Sequence, residues 1–191
     1  MHHKFEKFDR IILGIDPGSI KFGYAIIRQD GSKHTLITKG ILNLQNINDQ
    51  VLKNKKIFEF LNDLLDKYLF DEIAIEQPVY GKDPQAMIKL GRVLGCCIAF
   101  ACSKGISITE YLPKTIKKAV TGNGNASKQQ VAFMSSSILK IPVDNISKTY
   151  DDTDAIGVAL CHAFNISGEP VMSSKKSWSK FIADNPDRIV G

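Results

Sequence analysis

The 191-residue chain predicts an α/β domain built on a mixed sheet. Two patterns predict it: three strand-like segments come first, and helix-like and strand-like segments then alternate. A third observation sets the boundaries. No internal repeat or linker interrupts the pattern, so one domain is expected over residues 1–166, followed by a loosely attached tail over 167–191. That tail carries Pro170, Ser173-Ser174, Lys175-Lys176 and Pro186.

Each element follows from local chemistry. Residues 10–15 are almost continuously apolar, as in a buried strand. Asp16-Pro17-Gly18-Ser19 is a turn by composition. Residues 22–28 are rich in β-formers, Asp30-Gly31 marks a hairpin turn, and 35–44 form a third strand. Over 48–68, Val51, Ile57, Phe58, Leu61, Leu64, Leu65 and Tyr68 recur at helical spacing. Residues 72–76 form a strand stopped by Pro78. Asp83-Pro84 opens a helix to about Ser103, and 106–110 is a fifth strand. Pro113 suits the first turn of another helix. Residues 121–125 are a loop, and helices cover 127–139 and 151–164.

Composition narrows the function. Hydrophobic residues make up 43% and charged residues 24%, which suits a globular chain rather than a disordered one. No apolar stretch is expected to reach the roughly 18 residues of a membrane helix, and the start lacks the apolar region of a secretory signal. His2 and His3 receive no role. Cys96, Cys97, Cys102 and Cys161 lack C-x-x-C spacing and read as structural thiols of a reducing cytoplasm. The net charge of +5 is unevenly placed: residues 104–140 hold six lysines, no arginine and one acid. Such a stretch is either a phosphate-binding surface or an ordinary solvated face.

Four carboxylates stand out against this background. Asp16 ends the run 11–15, Glu76 ends the run 73–75, and Asp151 and Asp154 precede the apolar stretch 155–164. Clustered carboxylates repel unless a positive charge lies between them. Magnesium, a hard cation that takes oxygen ligands, is a plausible occupant. Together with the basic stretch, this points to metal-dependent phosphodiester cleavage. Other readings of the acids stay open. Asp16 could be a turn residue, Glu76 a solvated strand end, and Asp151, Asp152 and Asp154 helix-capping acids.

Leu13-Gly14-Ile15-Asp16-Pro17-Gly18-Ser19 with Gly23-Tyr24, then Ile75-Glu76-Gln77, then residues 151–155, resemble bacterial RuvC-type crossover-junction endodeoxyribonucleases of the RNase H-like superfamily. The resemblance covers about residues 10–164. It implies a five-stranded sheet with three antiparallel strands and two added parallel ones. It further implies that Asp16, Glu76, Asp151 and Asp154 are both the catalytic residues and the ligands of two Mg2+ ions, for which Mn2+ can substitute. Asp16 would bridge the ions from the most central strand. Asp152 is an alternative to Asp151, Gln77 could orient a ligand, and Gly18 would let the backbone turn beneath the site by its φ freedom. Lys117 and Lys128 resemble the family's phosphate contacts, and Lys118 and Lys82 are further candidates. A lysine in a helix's first turn opposes the macrodipole, which favours a DNA phosphate as the partner of Lys128. Relatives often carry an aromatic wedge three residues after the catalytic Glu. Here that residue is Val79, and Tyr80, one later, is the candidate to stack on a base if the loop 79–82 shifts its register.

The implied activity is two-ion hydrolysis that resolves Holliday junctions by paired symmetric nicks and leaves 5′-phosphates. A two-fold homodimer matches the junction's symmetry; helix 84–103 is expected at its interface, although its apolar face could equally be ordinary core. Cooperation with the RuvA–RuvB branch-migration complex is implied at family level. Rival readings are an RNA–DNA hybrid or ribosomal-precursor nuclease with the same acids, an actin-like kinase or ATPase, and a non-catalytic junction-binding protein. A kinase would need a second Gly-rich phosphate motif and a longer chain.

Overall fold

The computed structural model describes residues 9–79, 83–142 and 151–165, the side chains of Asp151 and Asp152 excepted. Ten elements follow in order: β1 (Asp9–Asp16), β2 (Lys21–Asp30), β3 (Lys33–Asn43), α1 (Gln50–Tyr68), β4 (Glu72–Glu76), α2 (Pro84–Lys104), β5 (Ser107–Tyr111), α3 (Pro113–Thr121), α4 (Lys128–Leu139) and α5 (Asp151–Phe164). The strands form one five-stranded sheet in the order β3-β2-β1-β4-β5. β1, β2 and β3 pair antiparallel, and β4 and β5 add in parallel. The expected mixed sheet is therefore present, with β1 at its centre. The tail expected over 167–191 lies outside the described residues.

Chain chemistry starts and stops the helices. Asp49 caps α1 by accepting from the Leu52 N–H. Asp83 caps α2, with Pro84 in its first turn and Gly105 in a left-handed conformation at its end. Ser127 and Gln130 form a reciprocal capping box on α4.

Alternation along the strands splits the core into two layers. Leu13, Ile15, Ile73 and Ile75 face α1 and α2, and pack with Ile57, Leu61, Val93, Cys97 and Phe100. Ile12, Ala25 and Ile27 face the other way, against Ile156, Ala159 and Leu160 of α5 and Val131 of α4. Ala74 meets Val158 and Cys161 of α5 on the same side. The four cysteines are unpaired thiols, as expected: Cys97 and Cys161 are buried, and burial raises both above the ordinary thiol range, Cys161 to about 12.

One expectation fails. α2 has 21 residues and a mean hydropathy of 1.6 over its most apolar 18-residue window, so by length and composition it could cross a membrane. Its alanines and cysteines raise the hydropathy alongside Ile, Leu, Val and Phe. In the fold it is the crossover between β4 and β5, with Val93, Cys97, Phe100 and Ala101 buried in the core.

Candidate active site

β1 and β4 run parallel with Ile15 beside Ile75, so Asp16 and Glu76 follow at adjacent strand ends. Their alternation puts both on the sheet face covered by α5. A glycine sets how closely α5 can lie. A Cβ at Gly14 would stand 2.3 Å from the Ala155 carbonyl oxygen and 2.7 Å from the Ala159 nitrogen. Only a hydrogen fits there, and the first turn of α5, with Asp154, comes down close to Asp16 and Glu76. The stripe Asp154, Val158, Cys161 has helical spacing, and its lower two members pack on Ala74 of β4.

α3 and α4 build the opposite wall. A cavity of about 210 Å³ is lined by Glu76 and Asp154 on the acidic side and by Lys117 and Lys128 on the basic side. Pro113, Ile116 and Val131 supply its apolar surface. The Lys128 ammonium donates to Asp154 Oδ2. A larger cavity of about 420 Å³, beside Phe133 and Met134, has no charged residue in its lining.

The electrostatics of Glu76 summarise the site. Its carboxyl is pushed up to about 7, first by burial, then by the charges of Asp16 and Asp154, with Lys128 and Lys117 opposing the rise. Four ionisable groups from β1, α3, α4 and α5 thus act on one carboxyl of β4. Among the described residues, no three Asp, Glu, His or Cys side chains converge on one coordinating centre. Asp16, Glu76 and Asp154 share an electrostatic field, and Asp154 is engaged by Lys128. Their donor chemistry suits a hard divalent cation: three carboxylates on three elements carry an excess of negative charge that a bound cation would relieve.

Other expected site residues are placed as follows. Asp151 opens α5 three residues before Asp154, but its side chain, like that of Asp152, lies outside the described residues. Tyr80 and Lys82 also lie outside them, and Val79 is exposed. Lys118 is exposed on α3 and is absent from the cavity lining. Gln77 is exposed, while its N–H donates to the Tyr111 carbonyl. Gly18 requires a correction. Its backbone is outside the positive-φ region that Gly31, Gly105 and Gly122 occupy. It is small for steric reasons, since a Cβ there would lie 1.9 Å from the Lys21 carbonyl oxygen.

Sequence reasoning missed two features. Gly14 was visible only as part of a motif, although a glycine inside an apolar strand signals close backbone approach. The other is a polar network at the far end of the same sheet. Arg10 Nη1 donates to Glu72 at 3.0 and 3.2 Å, and its Nη2 to Gln29 at 2.6 Å. His162 Nε2 lies 2.6 Å from Glu72 Oε2, and its Nδ1 lies 2.9 Å from the Tyr111 hydroxyl.

Comparison with known proteins agrees with this architecture. Residues 12–162 match the family described as Crossover junction endodeoxyribonuclease RuvC. A protein of that name from Cytophaga hutchinsonii is 49% identical over 181 residues, spanning 95% of this chain and 88% of the relative. Another from Christiangramia forsetii is 45% identical, spanning 96% and 94%. Among solved structures, Thermus thermophilus RuvC in complex with a Holliday junction substrate superposes with a TM-score of 0.75 at 25% identity. That match covers 81% of this chain and 93% of the other. The yeast mitochondrial resolvase Ydc2 shares the fold at a TM-score of 0.63 and 17% identity, with 80% and 77% covered.

Proposed function

The chain belongs to the RuvC family of crossover junction endodeoxyribonucleases, and from that premise we propose that it resolves four-way DNA junctions by metal-dependent hydrolysis. The observation that carries this reading is Glu76: a carboxyl held near pH 7 among Asp16, Asp154 and two lysines, in an open cavity. A protein without use for a cation gains nothing from gathering like charges at such a cost.

In this reading Asp16, Glu76, Asp151 and Asp154 hold two Mg2+ ions, with Mn2+ as a working substitute. Bound magnesium supplies the Lewis acidity that makes a water nucleophilic and stabilises the departing 3′ oxygen. The attacking oxygen bonds to phosphorus as the bond to the 3′ oxygen breaks, which leaves a 5′-phosphate. Lys117 and Lys128 hold the scissile phosphate from the basic wall, and Lys118, Lys82 and Tyr80 extend the DNA contact. Asp16, on the central strand, would supply its carboxylate to the ions.

A homodimer completes the reading, because a junction with two-fold symmetry presents two equivalent strands. The outer face of α2 supports it. Ile88, Gly91, Gly95 and Ala99 are exposed at helical spacing, and a Cβ at Gly91 or Gly95 would meet nothing within 4 Å. These glycines are not required by the chain's own packing, and they suit the close approach of a second helix. We further propose a cytoplasmic enzyme working with RuvA and RuvB.

The test is incubation with a labelled four-way junction and, separately, an RNA–DNA hybrid duplex. Paired symmetric nicks in the junction with magnesium, none with calcium, and little hybrid cleavage are the expected result. Asp16→Asn should lower the nicking rate at least about 1,000-fold while junction binding in calcium persists. Equal cutting of linear duplex, or an Asp16→Asn protein as active as the parent, would refute the assignment.

A further inference from the structure

β1, β4 and α5 each carry a site carboxylate at one end: Asp16, Glu76 and Asp154. Each also carries a member of one polar network at the other: Arg10, Glu72 and His162. The spans of the last two elements match. Glu72 to Glu76 is about 13 Å of extended strand, and Asp154 to His162 is about 12 Å of helix. β4 and α5 therefore meet twice. Glu72 and His162 attract at 2.6 Å at one end, while Glu76 and Asp154 repel at the other.

The attractive contact is well built. The His162 side chain is 7% exposed, and both ring nitrogens are engaged: Nε2 carries a proton to Glu72, and Nδ1 meets the Tyr111 hydroxyl. Arg10 secures the same carboxylate and is itself held by Gln29 of β2, so four strands and α5 are tied at one point. Glu72 is held below the ordinary carboxylate range, chiefly by the hydrogen bond from His162, and Arg10 contributes to the lowering. The apolar contact of α5 with β4 on this face is between small side chains: Ala74 against Val158 and Cys161. Such contacts resist separation but set longitudinal register weakly. A directional, charge-assisted hydrogen bond fixes it.

We propose that His162, acting through Glu72 and Arg10, is a positioning residue that sets the register of α5 on the sheet and so holds Asp154 at the separation from Glu76 and Asp16 that metal binding needs. The proposal rests on the metal-dependent reading above. Magnesium tolerates little deviation from octahedral geometry, so a small slide of α5 registers first as lost metal affinity. The DNA grip, carried by lysines on α3 and α4, should hardly change.

The experiment compares the full-length parent with His162→Phe, Glu72→Gln and the double variant. Manganese binding to metal-free protein is measured by calorimetry, the magnesium dependence of nicking by gel, and junction affinity in calcium by anisotropy. Each single variant should weaken manganese binding and raise the half-saturating magnesium about 10-fold, the range seen when a group supporting a ligand is lost. Junction affinity should stay within about two-fold of the parent. The double variant should be no weaker than the worse single one, because both act through one contact. A folded Glu72→Gln protein with parental metal affinity would overturn the proposal, and it decides alone if His162→Phe does not fold. Additive losses in the double variant would also overturn it. A parent that binds manganese but never cuts a junction overturns the nuclease reading instead, a different result from intact variants of an active parent.

Discussion

The two ends of the central strands have opposite electrostatic designs. At the Arg10–Glu72–His162 end the Glu72 carboxylate faces hydrogen-bond donors, Arg10 at 3.0 and 3.2 Å and His162 at 2.6 Å. At the Asp16–Glu76–Asp154 end like charges face one another, and burial together with those charges drives Glu76 up to about 7. The same strands carry both ends, so the difference is not a matter of element type: Glu72 is compensated by hydrogen bonds, and Glu76 is buried among like charges. A protein can hold repelling groups together when the elements bearing them are fastened elsewhere. One end is satisfied so that the other can remain reactive.

Three measurements would break or sharpen this contrast. The largest effect is expected midway between the ends, at the strand–helix seat. Gly14→Ala forces a Cβ to within 2.3 Å of the Ala155 carbonyl, which is backbone and cannot rotate away. It should cost about 3 kcal/mol in urea unfolding, at the upper end of overpacking effects. An unchanged midpoint would mean that α5 is not seated there.

The second effect removes the repulsion. The folded state holds the Glu76 proton more tightly than the unfolded chain, whose carboxyl titrates near 4.5. Metal-free stability should therefore fall as pH rises from about 4.5 to about 7, then level off. Glu76→Gln should abolish that decline and stabilise the metal-free protein at pH 8 by roughly 2 kcal/mol, with no benefit at pH 4. A parental melting temperature at pH 8 for the variant would show that the buried, repelled Glu76 charge costs the metal-free fold nothing.

The smallest effect on stability is expected at Lys128, whose side chain is 57% exposed although it pairs with Asp154. Lys128→Ala should change stability by at most about 0.5 kcal/mol. It should nevertheless weaken junction binding and reduce the salt dependence by about one phosphate contact. An unchanged salt slope would leave Lys128 as a partner of Asp154 alone.

Much of the site end was legible in the sequence. Asp16 and Glu76 each close an apolar run, and a strand that ends in an acid announces both its direction and its reactive terminus. Asp154 could be placed because Ala155 and the apolar run behind it define a buried helix. The far end was not legible, for a physical reason. Arg10 and Glu72 look like ordinary polar strand starts, and His162 looks like a cation suited to a helix C-terminus. Each is locally explained, so nothing in the local pattern shows that residues 62 and 90 positions apart meet at one carboxylate. Gly18 was singled out correctly for the wrong reason, because φ preference and steric room are indistinguishable in a sequence. The apolar character of α2 is underread when its stripe is taken alone and its alanines and cysteines are not counted.

In the metal-dependent reading, the contact at Gly14 also bears on ion choice. The gap between strand and helix is set by a single hydrogen atom, so the size of residue 14 acts as a spacer for the carboxylates just beyond it. Widening that gap by a methyl group would disfavour the short bonds and strict octahedron of magnesium before it disfavoured the longer, looser shell of calcium. Discrimination between two biological cations would then depend on a residue that touches neither.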